Sequence, residues 1–408
     1  MTKQLRILYA IGPENVIDAY TCWKQNRDSP SQVSITFSSQ FYDVCQDLNA
    51  KGYVIAQSQT NEIIQDEQFR VERRRIPLPK ASGVLYYLRQ LLCGLQLLKS
   101  AIVFRAKVVV VDSGTTDWYV LCLFSWLGFK VIPSLHCTLW YKFKPLRRVD
   151  KFRLGINKYL FTNFSEAILV GSQDTGKQVD ELTKGKHPQM YEFNYSYRRS
   201  DFADLNQSSR DCEEFRVLFA GRIERNKGVF DLLEIAKDFV NHGTNNIVFD
   251  ICGDGSALES LRLAVNEAAI EDNFICHGYC NKQQMRKMFE RSHIVVVPTR
   301  TDFSEGFNRV VGESVLSERP VVTSAVCPAL SYVKEAVVEV PPNDVKAYGD
   351  AILNLYRDRQ LYEQKILACK IVQEQFYDPN KGWGTALKSI LLKIEKLEEN
   401  YLTMAAGR

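Results

Sequence analysis

Short apolar runs rich in valine and isoleucine recur along the chain, each followed by a glycine or polar turn and then a segment of helical period. Near-continuous apolar strands separated by helices are typical of parallel sheets that are covered on both faces. The pattern therefore predicts a doubly wound α/β architecture that occurs twice. The predicted strands are 6–11, 33–37, 107–111, 130–133 and 166–170 in the first half, and 216–220, 247–252, 273–276, 294–298 and 320–323 in the second.

The division into two units follows from length and from one polar stretch. A chain of 408 residues is too long for one ordinary core. Residues 197–214 carry charged and small polar side chains without an apolar period, as a linker does. We predict a first domain at 1–198, a linker at 199–214, a second domain at 215–376 and a C-terminal helix at 377–408. The helix is expected to cross back to the first domain through the apolar positions Leu387, Ile390, Leu391, Ile394 and Leu397.

Composition excludes several classes of protein. A net charge of +4 is too small for a protein that binds nucleic acid mainly by neutralising phosphates. The 11 cysteines are scattered and form no Cys-x-x-Cys pair, so we expect reduced thiols in a cytoplasmic protein. Cys276, His277 and Cys280 lack a second ligand pair, and no metal site is expected. No apolar stretch is long and unbroken enough to span a bilayer, which leaves a soluble protein or one that touches a membrane surface.

Charged residues follow two strands of the second half. Gly221, Arg222, Lys227 and Gly228 come directly after the strand 216–220, at an edge where open α/β sheets bind ligands. Two cations beside a helix start suit a diphosphate. They could equally be surface cations of a solvated loop. The pair Gly253 and Gly255 after strand 247–252 is a weaker signal, since any tight turn favours glycine.

The segment after strand 294–298 is the more informative one. Glu305 and Gly306 precede a helix with the apolar positions Phe307, Val310, Val311 and Val315, while Glu313 falls about two turns further on. Two carboxylates so placed can accept hydrogen bonds from the hydroxyls of a sugar and of a ribose. Gly306 would let phosphates approach the free N–H groups of the helix start. The alternative is a helix-start acid and an unrelated solvated acid.

In order and spacing, these motifs resemble the donor-binding domain of retaining glycosyltransferases of the GT-B fold, glycosyltransferase family four, also called glycosyl transferases group 1. The resemblance covers roughly residues 216–358 and implies two Rossmann-like domains that face each other across a cleft. It implies that Arg222 and Lys227 bind the diphosphate, that Glu305 with the backbone of Gly306 and Phe307 binds the donor sugar and phosphates, and that Glu313 binds the ribose. Gly253 would also contact the donor, and Gly278 and Tyr279 would line the base.

The resemblance is thinner in the first half. Gly12, at the end of the first strand, corresponds to the loop that approaches the donor phosphates, with one glycine where the family often has two. His136 follows the strand 130–133 and is similar to the histidine that reaches the donor sugar from the acceptor domain. With Glu305, Arg222 and Lys227 it completes the implied catalytic set. Ser172, after the strand 166–170, is interpreted as structural.

The function implied is transfer of a sugar from a UDP- or GDP-sugar to a hydroxyl of a glycan or lipid-linked acceptor, with retention of configuration, in polysaccharide or glycoconjugate biosynthesis. No Asp-x-Asp triplet occurs, so neither a metal nor another cofactor is expected. The basic segments 70–75 and 140–148 suit an anionic membrane surface or a lipid-linked phosphate, although such clusters are also ordinary solvated faces. The alternatives are a sugar-nucleotide epimerase, a phosphorylase, or a non-catalytic sugar-nucleotide-binding protein.

Overall fold

The computed structural model describes residues 4–27, 32–79, 81–205 and 213–406, and within 398–406 only the backbone. Part of the predicted linker, residues 206–212, therefore lies outside the described residues. The chain forms two sheets, one on either side of that linker. Both sheets are covered by helices, which is the doubly wound arrangement that the sequence predicts.

The first sheet has the strand order β3-β4-β2-β1-β5-β6-β7-β8 and is parallel except for β3, which pairs antiparallel with β4. Its strands are β1 (Arg6–Ile11), β2 (Lys51–Ser58), β3 (Glu62–Gln65), β4 (Phe69–Arg75), β5 (Val108–Asp112), β6 (Lys130–Leu135), β7 (Ile168–Val170) and β8 (Met190–Glu192). The accompanying helices are α1 (Val16–Lys24), α2 (Phe37–Asp47), α3 (Val84–Phe104), α4 (Cys122–Trp126), α5 (Arg148–Tyr159) and α6 (Gln173–Thr183).

The second sheet has the order β11-β10-β9-β12-β13-β14, and all its pairings are parallel. Its strands are β9 (Phe215–Ala220), β10 (Ile247–Cys252), β11 (Phe274–Gly278), β12 (Ile294–Val297), β13 (Val321–Ser324) and β14 (Val337–Val340). The helices are α7 (Val229–Asn241), α8 (Leu258–Ala268), α9 (Lys282–Arg291), α10 (Arg309–Leu316), α11 (Leu330–Val333), α12 (Val345–Arg357), α13 (Arg359–Val372), α14 (Glu374–Tyr377) and α15 (Trp383–Ala406).

One predicted strand is wrong. Residues 33–37 form no strand, because Thr36 caps α2 and its side chain accepts a hydrogen bond from the backbone N–H of Ser39 at 3.0 Å. The position beside β1 is taken by β2, whose apolar residues 53–56 follow Gly52. Thr36, with Ser38 and Ser39 shortly after it, favours a helix start over a strand, because hydroxyl side chains stabilise the first turn of a helix.

The C-terminal helix α15 crosses back to the first domain, as predicted. The buried side chains of Leu387, Ile390, Leu391 and Ile394 pack into the same core as β1 and α2. Leu397, predicted for the same face, is instead 63% exposed. The crossing lies beside the connection between the two domains, where Asn194 pairs with Gly382. Two chain crossings therefore link the domains side by side.

Candidate active site

Glu305 lies in the loop between β12 and α10, where one of its oxygens is held by three donors. Its Oε2 accepts hydrogen bonds from Lys227 Nζ at 2.6 Å, Thr299 Oγ1 at 2.9 Å and Asn308 Nδ2 at 3.1 Å. Its Oε1 accepts none from the described residues. The carboxylate is therefore fixed in orientation, with one oxygen left to accept a hydrogen bond from a ligand.

Lys227 and Arg222 come from the loop after β9 and meet above one ring. Lys227 Nζ lies 3.8 Å from the ring centroid of Phe303, and the Arg222 guanidinium lies 5.2 Å from the same centroid. Lys227 is buried, whereas the side chain of Arg222 is 59% exposed and pairs with Glu224 at 3.2 Å. The structure thus brings Arg222, Lys227 and Glu305 together in one site.

Gly306 joins this site to the first domain. It forms an isolated antiparallel bridge with Cys137, and a Cβ at Gly306 would lie only 2.7 Å from the backbone oxygen of His136. Beside it, Ser304 Oγ and Thr138 Oγ1 are 3.0 Å apart. Because no real side chain fits at that approach, the domains can meet here only through a glycine.

His136 follows β6 and faces this contact from the first domain. Its Nε2 lies 2.9 Å from Asp112 Oδ1 and 3.0 Å from Ser134 Oγ. Its buried Nδ1 has no hydrogen-bond partner among the described residues. Asp112 Oδ1 likewise makes no hydrogen bond with the described residues, and Ser134 Oγ can donate to Nε2 or accept from it, so Nδ1 is the ring nitrogen left to bind a ligand hydroxyl.

The two residues next to His136 Nε2, Ser134 and Asp112, are themselves held by hydrogen bonds. Trp383, the first residue of α15 and fully buried, donates from Nε1 to Ser134 Oγ at 3.0 Å. Tyr9 in β1 donates its hydroxyl to Asp112 Oδ2 at 2.8 Å. The position of His136 is therefore coupled to the helix that returns from the second domain.

Glu313 lies on α10 at the wall of a pocket of about 400 Å³. Ser317 one turn later lines the same pocket, as do Lys282 and Arg286 of α9 and the linker residue Asp201. Burial raises the pKa of Glu313 to about 7, with Arg309 acting in the opposite direction. The carboxyl is consequently poised to gain or lose its proton near neutral pH.

The other predicted site residues are placed as follows. Gly253 packs so closely on the second domain's first loop that a Cβ would lie 1.8 Å from the backbone oxygen of Gly221. The Phe307 side chain is buried in the core, and a side chain at Gly12 would meet open space within 4 Å. Gly278 and Tyr279 do not line the 400 Å³ pocket, and Tyr279 is 70% exposed. Ser172 caps α6 by accepting from Thr175 N–H at 3.2 Å, as its structural interpretation requires.

Several polar residues of the site were not predicted. Asp112 ends β5, and Thr299 follows β12, so the rule that ligands bind beyond the carboxyl ends of parallel strands could have found both. Glu14 follows Gly12 and accepts a hydrogen bond from Ser38 at 2.6 Å, and burial raises its pKa. Asn308 and Trp383 carry no such signal, because their roles depend on long-range contacts.

Two further observations concern other parts of the molecule. A pocket of about 730 Å³ lies between β2, β4 and the second half of α3, and none of the predicted site residues lines it. Among the described residues, no three His, Cys, Asp or Glu side chains cluster in a way that could hold a metal ion.

The chain resembles known proteins in sequence and in fold. Residues 201–368 match the family described as glycosyl transferases group 1, which confirms the resemblance for the second domain. A 2-deoxystreptamine N-acetyl-D-glucosaminyltransferase of Niallia circulans is 21% identical over 234 residues, 54% of this chain and 58% of the relative. The match thus spans a little over half the length of that curated relative.

Solved structures extend the likeness to both domains. Sucrose-phosphate synthase from Thermosynechococcus elongatus superposes with a TM-score of 0.68 at 14% identity, covering 98% of this chain and 100% of its own. An E. coli structure described as trehalose-6-phosphate with bound UDP-2-fluoro glucose gives 0.70 at 11% identity, over 94% and 98%. Anabaena HepE in complex with UDP gives 0.65 at 13% identity, over 97% and 100%. The fold is that of the GT-B glycosyltransferases.

Proposed function

We propose that the chain is a retaining glycosyltransferase that moves a sugar from a nucleoside-diphosphate sugar to a hydroxyl acceptor. The observation that carries this proposal is the Glu305 carboxylate, which is held on one oxygen by Lys227 and is followed in the chain by Gly306, the residue that approaches the backbone oxygen of His136 in the first domain. A fixed acid, two cations and a histidine suit an uncharged polyhydroxyl group joined to a diphosphate. The family match of residues 201–368 supports the same assignment.

The donor would lie between α10 and the loop after β9. Glu305 Oε1 would accept a hydrogen bond from a sugar hydroxyl, since Oε2 is already occupied. Lys227, Arg222 and the free N–H groups at the start of α10 would bind the diphosphate. Gly12 would approach the phosphates from the first domain, and no atom lies within 4 Å of the position that its Cβ would take.

The nucleoside would occupy the 400 Å³ pocket. Glu313 would accept hydrogen bonds from both ribose hydroxyls, and the start of α9 at Asn281 and Lys282 would border the base. Uridine is the preferred base in this proposal, because two of the similar structures carry a UDP compound. In this proposal the base lies at Asn281 and Lys282, a few residues along the chain from the predicted contacts at Gly278 and Tyr279.

Transfer would be driven by stabilising the charge that develops on the leaving diphosphate. Lys227 and Arg222 supply that stabilisation as preorganised cations, so we propose that no divalent cation and no other cofactor is required. His136 Nδ1 would accept from a hydroxyl of the transferred sugar. The acceptor hydroxyl would lose its proton to the leaving phosphate oxygen on the same face, which keeps the anomeric configuration. Contact between the domains at Gly306 would exclude water and limit hydrolysis of the donor.

The acceptor would be a glycan or lipid-linked hydroxyl in polysaccharide or glycoconjugate synthesis. A cytoplasmic location and membrane contact through residues 140–148 stay predictions. None of the helices within the described residues has both the length and the apolar character to cross a bilayer. The other basic segment, 70–75, coincides with β4 inside the first sheet, where Arg74 pairs with Glu72 at 2.6 Å, so we do not assign it to a membrane.

The test is donor turnover by Glu305→Gln. Replacement by alanine would leave the buried Lys227 unpaired and could destabilise the fold, whereas glutamine keeps the shape and removes the charge. We expect transfer from UDP-sugars to fall by about a hundredfold or more. Glu335→Gln, at an exposed position of the second domain, is the matched control.

Each rival activity has its own outcome in this assay. Wild-type turnover by Glu305→Gln would contradict the catalytic assignment. An epimerised nucleotide sugar or a sugar phosphate as product would indicate an epimerase or a phosphorylase. Nucleotide binding without any turnover would indicate a binding protein, and inversion at the anomeric carbon would refute retention.

A further inference from the structure

One surface of the first domain exposes large apolar side chains that no described part of the chain covers. Along α3, an exposed apolar stripe runs the length of the helix, and α5 with the loop before it adds three aromatic rings beside it. We name this surface the basic-aromatic face and define it by the exposed residues Val84, Leu88, Leu95, Tyr141, Phe143 and Phe152. Single exposed apolar residues are ordinary, but a connected group of this kind marks an interaction site.

The two parts of the face are neighbours. Helices α3 and α5 both contact the short 3₁₀ turn Trp118–Leu121. The Arg147 guanidinium, in the loop before α5, interacts electrostatically with Tyr87 of α3 and with Tyr141. The apolar stripe and the aromatic rings therefore form one surface rather than two separate patches.

The charge of this surface has one sign. Residues 84–105 contain three cations and no acid, and residues 140–159 contain seven cations and a single acid, Asp150. Asp150 is engaged by Arg147 at 2.8 Å. Lys144, Arg148 and Lys151 have no carboxylate partner among the described residues. Exposed aromatic rings surrounded by unpaired cations match the interfacial region of an anionic bilayer.

The same charges argue against a second copy of the chain, and against another protein, as the occupant of this face. A second copy of the chain docked face to face would bring the lysines and arginines of both copies together without acids between them. Protein–protein interfaces are, moreover, depleted in lysine. An anionic lipid surface is the partner whose charge and apolar interior complement both features at once.

The face also borders the cleft. Thr138 contacts Ser304 of the second domain, and Lys142 Nζ donates to the backbone oxygen of Ala325 at 3.4 Å. Phe143 follows Thr138 by five residues, which span at most about 17 Å. A surface held against a membrane by Phe143 would thus keep the cleft within reach of an acceptor in that membrane.

We propose that the basic-aromatic face docks the first domain on an anionic membrane surface, so that the cleft receives a lipid-linked acceptor. The acceptor part of this inference rests on the proposed function, whereas the docking itself does not. Vesicle binding is measured without donor or acceptor, so its failure and the failure of sugar transfer are separate results.

The experiment is co-sedimentation of the purified chain with vesicles of phosphatidylcholine alone and of phosphatidylcholine with phosphatidylglycerol. We expect binding only to the anionic vesicles, weakening as salt is added. The double variant Phe143→Ser/Phe152→Ser should bind at least about tenfold more weakly, because inserted aromatic side chains are removed. Its matched control, Leu367→Ser/Ile371→Ser, removes two side chains of the second domain that are 60% and 68% exposed and should bind like the wild type.

A charge-reversal variant tests whether the cations of the basic-aromatic face contribute to binding of anionic lipids. Lys144→Glu/Lys151→Glu should lose binding to the anionic vesicles, while Lys287→Glu, at an exposed position of α9, should keep it. Absence of binding to anionic vesicles, or wild-type binding by Phe143→Ser/Phe152→Ser, overturns the proposal. So does a dimer in solution that the same substitutions dissociate, which would assign the face to a second copy.

Discussion

The raised pKa of Glu313 predicts that nucleotide binding in the 400 Å³ pocket depends on pH. Burial raises the pKa of this carboxyl to about 7, so at about pH 5 the unliganded protein carries it mostly protonated. In the proposed complex Glu313 accepts hydrogen bonds from the ribose hydroxyls, for which the ionised form is the better acceptor. Binding of UDP should therefore strengthen as the pH rises through neutrality. Glu313→Gln should lose that dependence.

The magnitude follows from the pKa. A rise from 4.5 to about 7 corresponds to roughly 3 kcal/mol between the two protonation states, an upper value because the side chain borders a pocket. Between about pH 4.5 and about pH 7, the native protein holds the Glu313 proton more often than the unfolded chain does. The stability of the wild type therefore falls as the pH rises through this range and levels off above about 7. Glu313→Gln has no ionisable group at this position and should not show this fall in stability. Relative to the wild type, it should gain stability from about pH 4 to about pH 8 by up to roughly 3 kcal/mol.

The assay is titration calorimetry of UDP at about pH 5 and about pH 8, with urea unfolding at the same pH values. At the higher pH, Glu313→Gln should bind UDP at least about tenfold more weakly than the wild type, and at the lower pH the two should converge. Titration of the UDP phosphate affects both proteins equally and cancels in the difference. Glu335→Gln serves as the control. An equal affinity ratio at both pH values would refute the assignment of Glu313 to the ribose.

Three further outcomes are expected from other parts of the site. Trp383→Phe keeps a buried aromatic ring but removes the donor to Ser134, so kcat should fall several-fold with KM little changed; an unchanged kcat would make the tryptophan a packing residue only. Gly306→Ala places a methyl 2.7 Å from the His136 backbone oxygen, so domain closure should weaken, and hydrolysis of the donor relative to transfer, measured by sugar release, should rise. Treatment with EDTA should leave the rate of transfer unchanged, and loss of activity restored by a divalent cation would contradict the proposed role of Lys227.

Much of the fold could be predicted from the sequence because buried parallel strands are near-continuous apolar runs, which are recognisable locally. Nine of ten predicted strands have a counterpart in the structure, among them β1 and β10 with identical limits. The failure at residues 33–37 and the absence of β2 from the predicted strands have different causes, and β3, β4, β8 and β14 were not predicted either. Thr36 fits a strand by local pattern but caps a helix. Lys51 and Gly52 weaken the strand pattern at the start of β2, whose residues pair with residues of β1 that are 45 positions away in sequence.

The sequence predicted which loops form the site, but not the hydrogen bonds between their side chains. Arg222, Lys227 and Glu305 could be placed together because each follows a strand of one sheet, and parallel strands end at the same edge. The choice of which Glu305 oxygen is occupied depends on Thr299 and Asn308, which no local pattern distinguishes. The hydrogen bond from Trp383 to Ser134, which contacts His136, joins residues 249 positions apart, and only the folded chain reveals it.

The central claim is that Lys227 and Arg222 bind the diphosphate of a nucleotide beside Glu305, and comparing UDP with UMP in one calorimetric series tests it most directly. Lys227→Gln removes the charge but keeps a donor for Glu305. We predict that wild-type protein binds UDP at least about tenfold more tightly than UMP, and that this preference largely disappears in Lys227→Gln and in Arg222→Gln. Equal affinity of the wild type for UDP and UMP, or a full preference retained by both variants, would contradict the account.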